Sequence, residues 1–240
     1  MMSTTPEGGP GIRGGVTPYD AVILAGGRAE RLGGLDKPGA LVGGRSLIER
    51  VASAVGEATR LIVVGPPRDL AHEPSRTADR SQAEEGAGVR AASHEGPEAV
   101  DGVVFTSEDP PGGGPVPALR AGLAQVRAPW LALLAADLPF LSAHHITALF
   151  LAARAGEITA AAGAVLVDDD GREQWLTGVW RTEALADALD GYRGRSLYRL
   201  LGPLEPVRVH LPAPGDGRAP WFDCDTMDDL GAARERARGA

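Results

Sequence analysis

Residues 21–37 read AVILAGGRAERLGGLDK, and this stretch decides the fold. The apolar run at 21–24 is typical of a buried strand, and a glycine-rich turn follows it directly. Such a turn exposes backbone N–H groups that bind anions, and Arg31 and Lys37 add positive charge. The stretch therefore predicts a strand followed by a loop that binds a polyphosphate.

Two common phosphate-binding motifs do not fit this loop. The dinucleotide fingerprint has one residue between its first two glycines, whereas Gly26 and Gly27 are adjacent. The Walker loop has Lys directly after Gly and before Ser or Thr, whereas Lys37 follows Asp36 and precedes Pro38. The loop therefore belongs to neither class.

Strand and helix patterns alternate from this loop to about residue 153. Further apolar strands are predicted at 61–64, 103–106 and 131–136, and helices at 47–55, 118–126 and 143–153. Short continuous apolar strands that alternate with helices are typical of a parallel sheet covered on both faces. The sequence therefore predicts a three-layer α/β fold with a mostly parallel sheet.

The second half of the chain predicts a small antiparallel extension of this sheet. Two strand-like stretches, 157–167 and 173–181, flank the turn sequence DDDG at 168–171. Helices are predicted at 182–189 and 196–201, and a last helix begins after Thr226. The pattern indicates that the extension follows the parallel strands in the chain.

Two polar regions interrupt this pattern. Residues 1–17 are rich in Gly, Pro, Ser and Thr, and they predict a disordered tail. Residues 66–102 show no clear period, and they predict an irregular insertion. The chain is otherwise expected to form a single domain over residues 18–240.

Composition excludes several classes of protein. The net charge of −8 argues against nucleic acid or an anionic membrane as a partner. One cysteine, Cys224, allows no internal disulfide and no multi-cysteine metal site. No apolar run approaches the roughly 20 residues of a membrane span. We therefore expect a cytoplasmic globular protein.

The loop resembles the signature of the molybdenum cofactor guanylyltransferases, L-A-G-G-x-x-x-R-M/L-G-G-x-D-K, which residues 24–37 match at every fixed position. The resemblance covers about residues 19–230 and implies a Rossmann-like nucleotidyltransferase fold. It implies that the backbone of Leu24, Ala25 and Gly26 contacts the nucleotide. Gly27 has no side chain, so it also lets the chain approach the nucleotide closely. The resemblance also implies that Lys37 binds phosphate.

Asp137 is the candidate metal ligand. It ends a predicted buried strand, and ligands of open α/β sheets lie outside the carboxyl ends of the strands. A carboxylate that faces a phosphate-binding loop suits Mg²⁺. The resembling family has the motif D-x-P-F/Y here, and its Asp binds the metal. A turn or helix-capping role before Pro139 is the alternative.

The same resemblance implies further site residues. Asp109 and Gly65, which follow the third and second predicted strands, are nucleotide-binding candidates, with a solvated loop as the alternative for Asp109. Residues 222–230 read FDCDTMDDL and resemble the family motif F-x-[ND]-x-[ND]-T-P-E-D-L. Asp223 and Asp225 alternate along a predicted short strand, so both point to one face and either is a second candidate metal ligand. Asp225 supporting the last helix is the alternative.

The sequence gives fewer indications of the residues that bind the acceptor. Arg195 and Arg199 lie four residues apart on a predicted helix, where they either receive an anionic acceptor or form a solvated basic face. Gln174 and Trp175 lie on the strand that shapes the acceptor pocket in relatives. A plain core role is the alternative for Trp175.

The resemblance implies transfer of GMP from GTP to molybdopterin or to the molybdenum cofactor, with release of pyrophosphate. Arg31, Lys37 and Asp137 would be the catalytic residues, and Mg²⁺ the cofactor. Three alternatives stay open: a cytidylyltransferase, a sugar- or alditol-phosphate nucleotidyltransferase, and a non-catalytic nucleotide-binding protein. We expect a monomer or a weak homo-oligomer, with transient contacts to cofactor-delivery or molybdoenzyme partners left open.

Overall fold

The computed structural model describes residues 17–26, 36–70, 98–100 (backbone), 102–157, 160–212 and 215–239. Their strands are β1 Tyr19–Leu24, β2 Leu41–Val42, β3 Arg45–Ser46, β4 Arg60–Val64, β5 Glu98–Val100, β6 Val103–Thr106, β7 Trp130–Ala135, β8 Gly163–Val167, β9 Glu173–Arg181 and β10 Val207–His210. Their helices are α1 Leu47–Ala54, α2 Pro115–Leu123, α3 Ala143–Gly156, α4 Thr182–Leu189, α5 Leu197–Leu201 and α6 Met227–Arg238, with a 3-10 turn at Gly202–Leu204.

Eight of these strands form one sheet in the order β10-β8-β9-β7-β1-β4-β6-β5. The central strands β7, β1, β4 and β6 are parallel, and β8 and β10 are parallel to each other. Strand β9 is antiparallel to both of its neighbours, β7 and β8, and β5 is antiparallel to β6. The predicted mostly parallel sheet with an antiparallel extension is confirmed.

Alternate side chains of the sheet enter two separate cores. Ile23 packs with α1 and α3 on one face, and Val22 packs with α2, α4 and α5 on the other. Strand β1 is buried along its whole length because it has helices on both sides. Because β1, β4, β6 and β7 are parallel, their carboxyl ends lie together at one edge of the sheet.

Several predicted boundaries shift, and three elements were not predicted. Helix α2 begins at Pro115 rather than at 118, because Gly114 adopts a positive φ of 95° and Pro suits the first helical turn. The hairpin β2–β3 and the edge strand β10 are too short to show a period. Strand β5 lies inside the predicted irregular insertion, and the predicted short strand that carries Asp223 and Asp225 is wrong, because residues 222–225 form no strand.

The predicted tail at 1–17 and most of the insertion lie outside the described residues. The single domain over 18–240 stays a prediction. Among the residues described, no helix combines the length and apolarity needed to cross a membrane.

Candidate active site

Lys37 lies at the centre of the site. Its Nζ is 2.5 Å from Asp137 Oδ2 and 2.7 Å from Asp225 Oδ1. The residue sits in a tight turn in which the N–H of Gly39 donates to the carbonyl of Asp36 (3.1 Å). Its side chain is 22% exposed, so the ammonium is partly shielded from water. One cation therefore joins two carboxylates that are far apart in the sequence.

Backbone hydrogen bonds bring the two carboxylates together. The N–H of Ala136 donates to the carbonyl of Leu24 (3.2 Å), which ties the end of β7 to the end of β1. The N–H of Cys224 donates to the carbonyl of Asp137 (3.2 Å). Cys224 is buried, whereas its neighbours Asp223 and Asp225 are exposed. The two acidic residues thus share an outward face, as predicted, although they lie on no strand.

Aromatic packing supports the same junction. Phe140, just after Asp137, packs against Phe222 with ring centroids 5.9 Å apart. The guanidinium of Arg236 on α6 lies 4.2 Å from the Phe222 ring centroid, which is a cation–π contact. The segment that carries Asp225 is therefore held against both the end of β7 and α6.

Among the described residues of the site, carboxylates outnumber the one ammonium that contacts them. Burial alone would lower the pKa of Lys37, but Asp137 and Asp225 outweigh it and raise that pKa. Although Asp223 is exposed at its surface, partial loss of its surrounding water raises its pKa, and Asp225 and Asp137 raise it further. Burial, with Asp137 close by, raises the pKa of the Cys224 thiol to about 12. Lys37 is therefore charged at neutral pH, and Cys224 is no thiolate nucleophile.

The donor set suits a hard divalent cation. Asp137 and Asp225 share one ammonium, so their bonded oxygens are no farther apart than the sum of the two contact distances. Mg²⁺ is commonly held by one or two carboxylates, with waters and substrate phosphates as its other ligands. In the part of the chain that the structure describes, no three acidic, His or Cys side chains form a complete protein cage. The residues present therefore fit a metal that is shared with a phosphate substrate.

The predicted nucleotide loop begins at the same edge. Leu24 and Ala25 are buried, and the N–H of Ala25 donates to the carbonyl of Val64 (2.9 Å). Gly26 is exposed at the mouth of the loop. A Cβ at Gly65 would come within 3.1 Å of the Ala25 backbone, so this glycine lets β4 pass close to the loop. Gly27 and Arg31 lie outside the described residues.

An acidic side chain not singled out in the sequence lies next to Gly26. Glu108 Oε1 is 3.8 Å from the position of a Cβ on Gly26, and it accepts a hydrogen bond from the N–H of Gly112 (2.8 Å). The predicted residue, Asp109, is exposed in the same loop. Two adjacent acidic residues, Glu108 and Asp109, follow the third predicted strand in the sequence. Their adjacency indicates an acidic site there but does not show which of the two side chains faces Gly26.

The acceptor-side residues are only partly brought together. Because Thr177 pairs with Leu134 and β9 is antiparallel to β7, Trp175 lies near the start of β9, beside the carboxyl end of β7. The Trp175 ring stacks on Trp180 (6.4 Å) and meets Tyr198 edge-on (5.8 Å), and Tyr198 is 63% exposed. Gln174 Nε2 donates to Asp168 Oδ2 in the hairpin turn (2.9 Å).

The predicted helical pair of arginines is wrong. The Ser196 side chain accepts from the N–H of Arg199, so α5 begins at Leu197 and Arg195 precedes the helix. Arg195 and Arg199 are both exposed, but they do not share a helix face.

Two carboxylates and a lysine that lie beyond the carboxyl ends of parallel strands, next to Gly26, suit the binding of a nucleoside triphosphate together with a divalent cation. The family model of the MobA-like NTP transferase domain matches residues 21–207, and the chain belongs to this family. The enzyme class expected from the loop is therefore confirmed.

Individual relatives agree with this assignment. The chain is 30% identical over 217 residues to the molybdenum cofactor guanylyltransferase of Acidiphilium cryptum, covering 89% of this chain and 92% of that protein. The molybdopterin-guanine dinucleotide biosynthesis protein A of Archaeoglobus fulgidus has a similar structure, with a TM-score of 0.57 and 19% identity over 92% of this chain and 100% of that one.

A cytidylyltransferase shares the fold as well. The 2-C-methyl-D-erythritol 4-phosphate cytidylyltransferase of Thermus thermophilus aligns with a TM-score of 0.54 and 18% identity, over 92% of this chain and 99% of that one. At such identities the two solved structures show the fold alone. The predicted nucleotidyltransferase fold is thereby confirmed.

Proposed function

We propose that this protein transfers GMP from GTP to the terminal phosphate of molybdopterin, or of its molybdenum-loaded form, and releases pyrophosphate. The observation that carries the proposal is the Lys37 ammonium between Asp137 and Asp225 at the mouth of the glycine loop. The choice of GTP and of the acceptor is supported by the name of the relative at 30% identity.

The reaction is an in-line displacement at the α-phosphorus. A phosphate oxygen of the acceptor forms the new P–O bond, and the bond to the β-phosphate breaks with its electrons leaving on pyrophosphate. The acceptor phosphate is already an anion, so the site needs no strong general base. Catalysis then comes from positioning and from stabilisation of charge.

Each described residue has a distinct part in this proposal. Asp137 and Asp225 would hold a divalent cation, Mg²⁺, which neutralises phosphate charge when it is bound. Lys37 has a flexible stem, and its ammonium holds the carboxylates together until it turns to the leaving phosphates. Asp223 supports this pair electrostatically rather than as a ligand. Arg31 is proposed to act with Lys37 on the leaving group.

The nucleotide would lie along the end of β1. The backbone of Leu24, Ala25 and Gly26, with Gly27, is proposed to approach the nucleotide, and the exposed Gly26 leaves space for it. Asp109 is proposed to contact the nucleoside, and Gly65 contributes backbone alone. On the other side of Asp137, the exposed Tyr198 edge beside Trp175 is proposed to face the acceptor, as are Arg195 and Arg199.

Pyrophosphate release from purified protein tests the function. The protein with Mg²⁺ and molybdopterin should release pyrophosphate from GTP and not from CTP, ATP or UTP. Equal turnover with CTP would assign the protein to the cytidylyltransferases. Nucleotide binding by calorimetry without any release would make it a non-catalytic binder.

Carboxylate variants test the site. Asp137→Asn and Asp225→Asn should each lose metal-dependent turnover with the fold intact, whereas Asp223→Asn should retain most of it. Asp228→Asn is the matched control, because Asp228 is an exposed carboxylate in the first turn of α6. Full turnover by the Asp137 variant would refute the proposed metal site.

A further inference from the structure

A largely buried arginine reaches Asp36 from the segment that follows β4. Arg68 follows β4, and its side chain is only 14% exposed. Its Nη1 donates to both carboxylate oxygens of Asp36, at 2.9 and 3.2 Å. Asp36 is 63% exposed, so the arginine is the fixed member of the pair. Such charge-assisted contacts are stronger than hydrogen bonds between neutral groups.

The backbone on both sides of Arg68 is held in place. The N–H of Gly65 donates to the carbonyl of Thr106 (2.8 Å), which ties the exit of β4 to β6. Leu70, two residues beyond Arg68, is buried in the core under α1 and α3. The guanidinium therefore projects from a segment held on both sides.

Asp36 is held by Arg68 and packs over Gly39, and it adjoins the central lysine. Its carboxylate folds over Gly39, where an added Cβ would collide with it. The N–H of Gly39 also donates to the Asp36 carbonyl. Lys37 is the next residue, and its ammonium contacts both site carboxylates. A shift of the backbone at Asp36 would therefore also move Lys37.

We propose that Arg68 is a positioning residue for nucleotidyl transfer: it holds Asp36 and thereby fixes where the Lys37 ammonium lies. The proposal rests on the proposed function for its kinetic readout. The Nε of Arg68 is buried without a hydrogen-bond partner in the described part of the chain, so the pair with Asp36 offsets part of the cost of burying this charge. This explains why an exposed carboxylate is kept in one place.

A double-mutant cycle on kcat/KM for the nucleotide tests this role. Arg68→Ala and Asp36→Ala should each lower kcat/KM about tenfold. The double variant should have a kcat/KM no lower than that of the less active single variant. Arg68→Lys should fall between wild type and Arg68→Ala, because one ammonium cannot match the guanidinium geometry. Gly39→Ala should reproduce the loss by displacing Asp36 without touching Arg68.

A matched control is available at the far edge of the sheet. Arg208 Nε pairs with Glu173 Oε1 at 2.9 Å, and β10 lies four strands away from β1. Arg208→Ala should leave kcat/KM within twofold of wild type. Melting temperatures of all variants separate loss of fold from loss of position. If Arg68→Ala does not fold, the Arg68→Lys and Gly39→Ala variants decide the result.

Two outcomes would overturn the proposal. Additive losses in the double variant would show that the two residues act independently. Wild-type activity in Asp36→Ala, with a loss in Arg68→Ala, would show that Arg68 contacts substrate directly. The affinity of the best-bound nucleoside triphosphate, measured by calorimetry across the same cycle, is independent of turnover. If the wild type binds but releases no pyrophosphate, the proposed function fails and this binding cycle still decides the role of Arg68.

Discussion

Replacing Lys37 with Ala probes the central contact of the site. The substitution removes the ammonium that lies 2.5 Å from Asp137 and 2.7 Å from Asp225. If Lys37 stabilises charge that develops on the leaving phosphates, its loss should cost about 2–4 kcal/mol of transition-state stabilisation, as for a lost oxyanion donor. This corresponds to a fall in kcat of about 30- to 1,000-fold.

The same variant should respond more strongly to Mg²⁺. In the wild type, the ammonium occupies the two carboxylates that a divalent cation would use, so the two compete. If Lys37→Ala tightens Mg²⁺ binding tenfold, saturating Mg²⁺ adds about 1.4 kcal/mol of stability beyond its effect on wild type. For a chain of this length, that is an extra rise in melting temperature of about 3–5 °C.

The assay pairs turnover with thermal melts at several Mg²⁺ concentrations. Lys37→Arg is the matched control, because it keeps the charge between Asp137 and Asp225 and should keep the wild-type Mg²⁺ response. Turnover of Lys37→Ala within tenfold of wild type would refute the catalytic role. A Mg²⁺-dependent shift no larger than that of wild type would refute the shared cation site.

Three further predictions concern stability. Asp20 is 1% exposed and accepts from the N–H groups of Arg127 (2.6 Å) and Ala128 (3.0 Å), so Asp20→Ala should cost about 2–4 kcal/mol in chemical denaturation. Gly122→Ala should cost about 1–3 kcal/mol, because the added Cβ would lie 2.5 Å from a Val22 methyl group. The raised pKa of Asp223 means that the folded state binds this proton more tightly than the unfolded chain, so the stabilisation is present at low pH and is lost as pH rises above about 4. Asp223→Asn should therefore be more stable than wild type at pH 7 and not at pH 3, and an equal difference at both pH values would contradict this.

The fold could be predicted because its signals are local. The apolar run at 21–24 and the strand that ends before Asp137 are continuous, as strands covered on both faces are. Parallel strands end at one edge, so a loop after β1 and a carboxylate after β7 had to meet. The motif singled out Asp225 as a candidate ligand, but its contact with Lys37 was not predicted from the sequence. Cys224, which lies between the two acidic residues, is buried although the predicted strand is absent.

The remaining site residues depend on contacts across long stretches of sequence. Arg68 pairs with a residue 32 positions earlier, from a segment without periodicity, so no spacing rule indicates it. Glu108 and Asp109 are adjacent in a loop, where only the turn to Gly112 determines which carboxylate faces Gly26. Arg195 was misplaced because the helix start depends on the Ser196 cap, which shortens α5 by one residue.

Charge explains why the lysine lies where it does. Asp137, Asp223 and Asp225 share a small region in which Lys37 is the close cation among the described residues, and each acidic neighbour raises the pKa of Asp223. Such a region repels a free triphosphate and attracts a divalent cation. A nucleotide whose phosphates carry a divalent cation would therefore be favoured over the free triphosphate. With that cation held by Asp137 and Asp225, Lys37 would lose its carboxylate partners, and the phosphates would become near anions for its ammonium.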